Sequence, residues 1–381
     1  MSRPTWARWV TRISLVLAVV ALVFTIRDIG PRTIATYFRR IGWWWIAVVL
    51  LEVAVTSLDA IAIRSFLSPE QGKVRLRSAI LAQLAGRAVN AVTPSGNLGE
   101  AVKVSVLVAH VSQSRAVSTI LLYNAISFSI ELLVVAIAVP FVILLVPMPH
   151  FVSGLMVITC VVSAAIVVGL YLLVRYGALT ALAPIARSVY VAFTRLRPSR
   201  RGYVFPPERY ERWQRQLRDV ADKMRRSAGG RRRDRWLGIC AVIASRMASM
   251  SLSFMILHAV GESITAGFVA AYTVGGFIIY ITSTLVPMGV GISEGGNYAL
   301  FRALGENPAR GVTLVLARRV VQILYASIGV VLMVASETVQ RARERPGLRA
   351  GASSGEPALP EGLLVTAVPP AGPGAVTKAA D

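Results

Sequence analysis

Charged residues make up only 16% of this 381-residue chain, against 55% hydrophobic residues, and that scarcity excludes a soluble domain of its size. Cysteine is nearly absent. Cys160 and Cys240 both lie inside apolar runs, where a packing role is expected and where they carry no information about compartment. The three histidines, His110, His150 and His258, are scattered with no cysteine or histidine at metal-ligand spacing, so no metal site and no cofactor is expected. Acidic residues are also few, 19 against 41 Lys and Arg. The resulting charge of +22 is gathered into short segments between hydrophobic runs, as in membrane-flanking loops, which argues against nucleic-acid binding. The amino-terminal MSRPTWARWVTR and the apolar ISLVLAVVALVFTI after it have no small-residue cleavage pattern behind them, so they read as a retained helix rather than a signal peptide.

What is present is a series of long hydrophobic segments. The expectation is an all-α integral membrane protein with about six full transmembrane helices, over 9–26, 41–66, 115–146, 151–174, 236–258 and 311–335. Residues 27–40 look interfacial, and Trp43, Trp44 and Trp45 mark a headgroup boundary. Pro140 is a candidate kink. Residues 175–235 carry 17 Arg or Lys against 5 Asp or Glu, and read as a basic cytoplasmic loop with an amphipathic helix on an anionic lipid surface. The residues from 337 to 381 read as a disordered cytoplasmic tail.

Two interruptions carry the functional signal. TPSGNLGE (residues 93–100) sits between apolar arms too short for the roughly 20 residues a spanning helix needs. PMGVGISE (residues 287–294) repeats the pattern, although the arm before it, residues 267–286, is long enough to span; counting that arm as a lone crossing would export the carboxy-terminal arginines. Pro94 aligns with Pro287, Gly96 with Gly289, Glu100 with Glu294 and Arg115 with Arg310, at offsets drifting only from 193 to 195. The chain therefore divides into an amino-terminal segment (1–40), a first repeat (41–174), the basic loop (175–235), a second repeat (236–336) and the tail (337–381). If each interrupted unit is a re-entrant helical hairpin, the basic segments all fall inside, both termini are cytoplasmic and the two repeats are inverted. Single crossings would export the basic loop.

Irregular backbone at membrane depth needs protein or water to satisfy it, and each glycine-rich segment leads into a helix start suited to an anion. Asn97 and Gly291 could equally be N-caps, with Glu100 and Glu294 three residues on, as in a capping box. Neither segment has the Lys-Ser/Thr end of a P-loop, so nucleotide binding is unsupported. Ionisable residues inside the helices, Glu52, Asp59, Arg87, Lys103, Glu131, Arg246, Arg302, Arg318 and Arg319, either pair within the bundle or meet a ligand, and Lys103 and Arg302 could also snorkel. The candidate substrate-binding set is Pro94, Gly96, Asn97, Gly99, Glu100, Arg246, Pro287, Gly289, Gly291, Ser293, Glu294, Arg318 and Arg319.

PSGNLGEAVKVSVL, LVPMGVGISEGGNYALFRALG and ARRVVQILYASIGVVLMV, in that order over about residues 10–336, resemble the flippase-like transmembrane region of lysylphosphatidylglycerol synthases. Family members commonly carry Pro-Gly-Gly-Leu-Gly-Val-Arg-Glu at the second site, and here Ser293 stands where the arginine is usual. In bifunctional relatives this region moves an aminoacylated phospholipid while a separate cytosolic domain attaches the amino acid. The resemblance implies a plasma-membrane lipid translocator acting on a phospholipid or lipid-linked headgroup, without a synthase domain and without enzyme activity, with a homodimer as a candidate assembly. The alternative is a non-transporting membrane partner that presents a lipid-linked substrate to an envelope glycosyltransferase or other enzyme.

Overall fold

The structure, a computed structural model, describes residues 41–67, 70–92, 98–147, 150–176, 207–284 and 291–353 apart from isolated positions, with side chains as far as Leu332. The expected first helix, the interfacial stretch, Pro94, Gly96, Asn97, Pro287 and Gly289 lie outside the described residues, as does the tail beyond Ser353.

Ten α-helices occur among the described residues: α1 (Trp44–Phe66), α2 (Leu76–Val92), α3 (Leu98–Leu107), α4 (Gln113–Leu145), α5 (His150–Tyr176), α6 (Pro207–Ala228), α7 (Arg232–Ala259), α8 (Ala266–Ser283), α9 (Ile292–Ala303) and α10 (Pro308–Ser353). There is no strand among these residues. Six helices are long and apolar enough to cross a membrane: α1, α4, α5, α7, α8 and the Pro308–Leu332 part of α10. Five of them coincide with expected spans. The sixth is α8, expected as one arm of a hairpin on topological grounds; its 18 residues reach about 27 Å at ~1.5 Å per residue, close to the bilayer core. The last helix also runs past the expected boundary at 336, to Ser353.

The spans are sorted by which face is apolar and exposed. On α1, Trp43 at its start, Ile46, Leu50 and Val53 are exposed at helical spacing, while Val48, Val55, Thr56, Asp59, Ile63 and Phe66 are buried. The polar residues thus face the bundle and the apolar ones face outward, the reverse of a soluble helix and the pattern of a helix solvated by lipid. Helix α5 is the extreme case. It packs on α4 and leaves Leu155, Ile158, Val161 and Val168 exposed, so it lies at the edge of the bundle. Pro140 is accommodated inside α4, whose 33 residues continue to Leu145.

Helices α1 and α7 pack along each other, and Gly238 makes room for the Phe66 ring, which lies 2.6 Å from where a Cβ on Gly238 would stand. The order long, medium, short, long occurs twice, as α1–α4 and as α7–α10. In both, the medium and short helices pack together through small residues. A Cβ on Gly99 would lie 2.0 Å from the Gly86 carbonyl oxygen, and one on Gly296 2.9 Å from the Ile279 side chain. Close approach by glycine is how membrane helices gain packing contact where lipid leaves little hydrophobic drive. Gly329 does the same between α10 and α2, with the Leu84 carbonyl oxygen 2.7 Å from its notional Cβ.

Helix α6 is amphipathic and polar. It buries Ala221, Met224 and Ser227 and exposes Arg212, Arg215, Arg218, Arg225 and Arg226. It docks on the start of α4: Arg115 Nη1 donates to the Ser227 hydroxyl at 2.6 Å and to the Lys223 carbonyl at 3.2 Å, and Lys223 donates to the Ser114 hydroxyl. The corresponding residue of the second half, Arg310, also sits in the first turn of a long helix and also reaches off it, to Glu262 at 2.9 Å.

The packing at Gly99 gives a direct test. Gly99→Ala is expected to lower stability by about 1–3 kcal/mol through overpacking against Gly86, while Gly154→Ala, with nothing within 4 Å, is expected to be neutral. Thermal unfolding of both variants in detergent measures the difference.

Candidate functional site

Five ionisable side chains from four helices meet inside the bundle. Helix α1 supplies Glu52 and Asp59, which lie seven residues apart and so on one helical face; α2 supplies Arg87, α4 Glu131 and α7 Arg246. Asp59, 1% exposed, is the centre. Its Oδ2 accepts from Arg87 Nη2 at 3.0 Å and from Arg246 Nη2 at 3.1 Å, and its Oδ1 from Arg246 Nη2 at 3.0 Å and the Ser245 hydroxyl at 2.5 Å. Arg87 also pairs with Glu52 and donates to the Thr56 hydroxyl at 3.2 Å. Arg246 Nη1 donates to Glu131 at 3.1 Å, and Nη2 reaches the Tyr123 hydroxyl at 3.3 Å.

A charge inside a membrane-spanning bundle costs several kcal/mol of desolvation, so it persists only with partners that satisfy most of its hydrogen-bonding positions. Here each arginine serves two carboxylates, and Asp59 has four donor contacts. The pairs join α1 to α2, α1 to α7, and α7 to α4, so the network crosses between the two halves of the chain.

The two short helices carry their own carboxylates. Glu100, on α3, accepts from Lys103 Nζ at 2.8 Å and from Asn124 Nδ2 of α4 at 2.9 Å. Lys103 is 5% exposed and lies 5.6 Å from the Tyr123 ring centroid, so it does not snorkel. Gly99, the preceding residue, donates its N–H to Asn90 Oδ1 of α2 at 2.6 Å, so this amide is received by the neighbouring helix. Glu294, on α9, behaves differently. Its Oε2 accepts from the Gly291 N–H at 2.8 Å, as a third-position glutamate does at a helix start, and its Oε1 pairs with Arg319 of α10 at 2.6 Å. Gly291 has no side chain to return the bond, so only half of a capping box exists; its φ of +83° explains why glycine stands there. Capping and ion pairing therefore coexist at Glu294.

Of the expected site residues that are described, Gly99 and Glu100 stand on α3, Gly291, Ser293 and Glu294 at the start of α9, Arg246 on α7, and Arg318 and Arg319 on α10. Ser293 is half-buried, and its carbonyl accepts from Asn297 Nδ2 at 2.8 Å. Arg302 is exposed. Arg319 and Glu294 form their own pair, with no ion pair to the Arg246 network among the described residues. The sequence reading missed the neutral members: Thr56, Asn90, Tyr123, Asn124 and Ser245. Only Ser245, beside Arg246 in an apolar run, carried a visible signal.

A model of the lysylphosphatidylglycerol synthase transmembrane (TM) region matches residues 12–329. The chain belongs to this family. No curated protein and no solved structure matches it. Membership of the lysylphosphatidylglycerol synthase transmembrane-region family makes this a multi-pass membrane protein concerned with lipid, and the match covers both short-helix carboxylates and the whole five-residue network.

A second acidic group lies between the spans. Glu262, its side chain fully buried, pairs with Arg310 at 2.9 Å and stands beside the Glu306 carboxyl. A proton on Glu306 lets it hydrogen-bond Glu262, and this, with burial and the Glu262 charge, holds the Glu306 carboxyl above its ordinary range. A raised native value stabilises fully below the unfolded value of about 4.3 and is lost as pH rises through the native one. Glu306→Gln, which keeps a donor without a titrating proton, is expected to flatten the fall in melting temperature over that range, measured by thermal scans at stepped pH. In the central network, Arg87→Met strands Glu52 and removes one of the two guanidiniums on Asp59, and is expected to cost about 3–5 kcal/mol. Exposed Arg215→Met should change stability by less than about 0.5 kcal/mol in the same unfolding assay.

Proposed function

We propose that the chain is a flippase-like lipid transporter, not an enzyme, moving a phospholipid or lipid-linked headgroup across the plasma membrane. The observation that carries the reading is the five-residue charge network bridging four helices, flanked by two short helices that each bring a carboxylate, Glu100 and Glu294, from a glycine-containing start. Short helices of 10 and 12 residues reach about 15–18 Å, roughly half a bilayer core, a length that suits starts at depth. Helix starts at depth on repeated elements are the usual place for a transporter's polar ligand.

In this reading the two halves are inverted repeats, TPSGNLGE and PMGVGISE enter from opposite faces as re-entrant hairpins, and both termini are cytoplasmic. The arginine face of α6 lies on an anionic cytoplasmic leaflet, a role that the Arg115 and Lys223 bonds to α4 support by fixing the helix against the bundle. Nucleic acid is not a partner; a homodimer is compatible with the exposed apolar flank of α5. In this reading the headgroup phosphate binds at the two helix starts, with Pro94, Gly96, Asn97, Pro287, Gly289 and Ser293 as its candidate contacts, and the carboxylates and arginines orient its other groups.

Transport by purified protein in vesicles, read with tail-labelled fluorescent phospholipids, tests the reading. Glu100→Gln with Glu294→Gln is expected to slow movement at least about tenfold, equivalent to ~1.4 kcal/mol of barrier. Wild-type rates in that double variant would exclude a role for the carboxylates. Movement by neither protein, with a membrane enzyme co-purifying instead, would favour the presenting-partner alternative.

A further inference from the structure

Lys103 is a buried ammonium with donor capacity to spare. Its stem crosses Gly86 of α2, where a Cβ would stand 2.6 Å from the lysine Cγ and Cε. The missing side chain at residue 86 is what gives a lysine room at this depth. A helical side chain leans towards the amino-terminal end of its helix, and Nζ meets Glu100 Oε1 at 2.8 Å, three residues back, so the charge sits beside the start of α3. An ammonium carries three N–H donors. Among the described residues Glu100 supplies its one oxygen acceptor, and the Tyr123 ring, with its centroid 5.6 Å away, covers a second side.

Glu100 is the accessible half of the pair. Its side chain is 28% exposed against 7% for Lys103, and the Asn124 amide holds its other oxygen at 2.9 Å. The lysine stem is confined between Gly86 and Tyr123, so an exchange of partners proceeds by way of the carboxylate. The backbone at this helix start offers less than a full set of amides, since the Gly99 N–H is already received by Asn90 at 2.6 Å. A phosphate at the start of α3 therefore needs a side-chain donor, and Lys103 is the cation beside it.

We infer that the Glu100–Lys103 pair opens to admit a headgroup carrying both a phosphate and an ammonium: the phosphate oxygens accept from Lys103 Nζ, and the ammonium donates to Glu100. The inference deepens the proposed reading and rests on its placement of the phosphate at the α3 start. A purely anionic headgroup takes Lys103 and leaves Glu100 with Asn124 alone; a purely cationic one takes Glu100 and leaves Lys103 with the Tyr123 ring. A headgroup of both signs makes two ion pairs for the one it breaks, and no charge is stranded in the bundle.

The test titrates purified full-length protein in detergent with short-chain phosphatidylethanolamine, or with its N-acetyl derivative, which keeps the phosphate and lacks the ammonium, and reads the rise in melting temperature. Wild-type protein is expected to half-saturate with phosphatidylethanolamine at about one tenth of the concentration needed for the N-acetyl form, the scale of one partly desolvated charge pair. Glu100→Gln is expected to erase that difference. Lys103→Met is expected to weaken both lipids about tenfold and keep the preference, with Lys103→Arg between it and the wild type. Each rise is read against the variant's own lipid-free melting temperature. A pair that only holds α3 together would lower that baseline and leave the half-saturating concentrations unchanged, which overturns the inference. Equal half-saturation by the two lipids in the wild type, a comparison that needs no variant to fold, overturns it as well. Tail-labelled phosphatidylethanolamine in vesicles separates the site from the transport reading: movement without the binding preference overturns the site alone, and the preference without movement overturns transport and leaves the site standing.

Discussion

The buried carboxylate of Asp59, bridging Arg87 and Arg246, is the constraint on which the rest of the bundle depends. Lipid cannot solvate these charges, so once they are placed inside the spans the helices must come together closely enough to satisfy them. That requirement brings α1, α2 and α7 to one point, and Glu131 adds α4. The network ties the first half of the chain to the second through side chains far apart in sequence. Replacing such a network with apolar groups can leave a membrane bundle stable, so its retention is better explained by what the charges meet than by stability.

Close helix approach makes the network possible. Gly99 against Gly86, Gly238 against Phe66 and Gly329 against Leu84 remove the Cβ atoms that would hold the backbones apart. The two short helices then settle into opposite chemical roles for the same residue type. Glu100 is a cross-link, from its own helix to Asn124 of α4, whereas Glu294 steadies the start of α9 and at the same time meets Arg319. A glycine at φ +83° in one start, and an asparagine of the neighbouring helix receiving an amide in the other, are two solutions to the same need for satisfied backbone at a broken helix.

Much of this was legible from the sequence, for identifiable reasons. The spans other than α8 followed from apolar runs of adequate length, and the spacing of Glu52 and Asp59 placed them on one face. Pairing was one of the two expectations for the embedded charges, and Arg319 with Glu294 is one such pair. The partner choices were not legible, because they depend on which helices are neighbours. Arg246, equivalent to Glu52 by repeat position, pairs instead with Asp59 and Glu131. Asn90 and Asn124 gave no signal at all, since a neutral amide in an apolar run looks the same whether or not it holds a carboxylate or an amide. Helix α8 sat at the boundary between arm and span because its 18 residues nearly match the bilayer, where length alone does not decide the role.

The central claim, that one buried carboxylate couples the two halves, is most directly tested by a double-mutant cycle on Asp59→Asn and Arg246→Gln, followed by unfolding of the purified protein. Direct coupling through the bonds at 3.0 and 3.1 Å predicts that the double variant is more stable than the sum of the single losses implies, by about 1.5 kcal/mol or more. Losses that simply add, within about 0.5 kcal/mol, would contradict the claim.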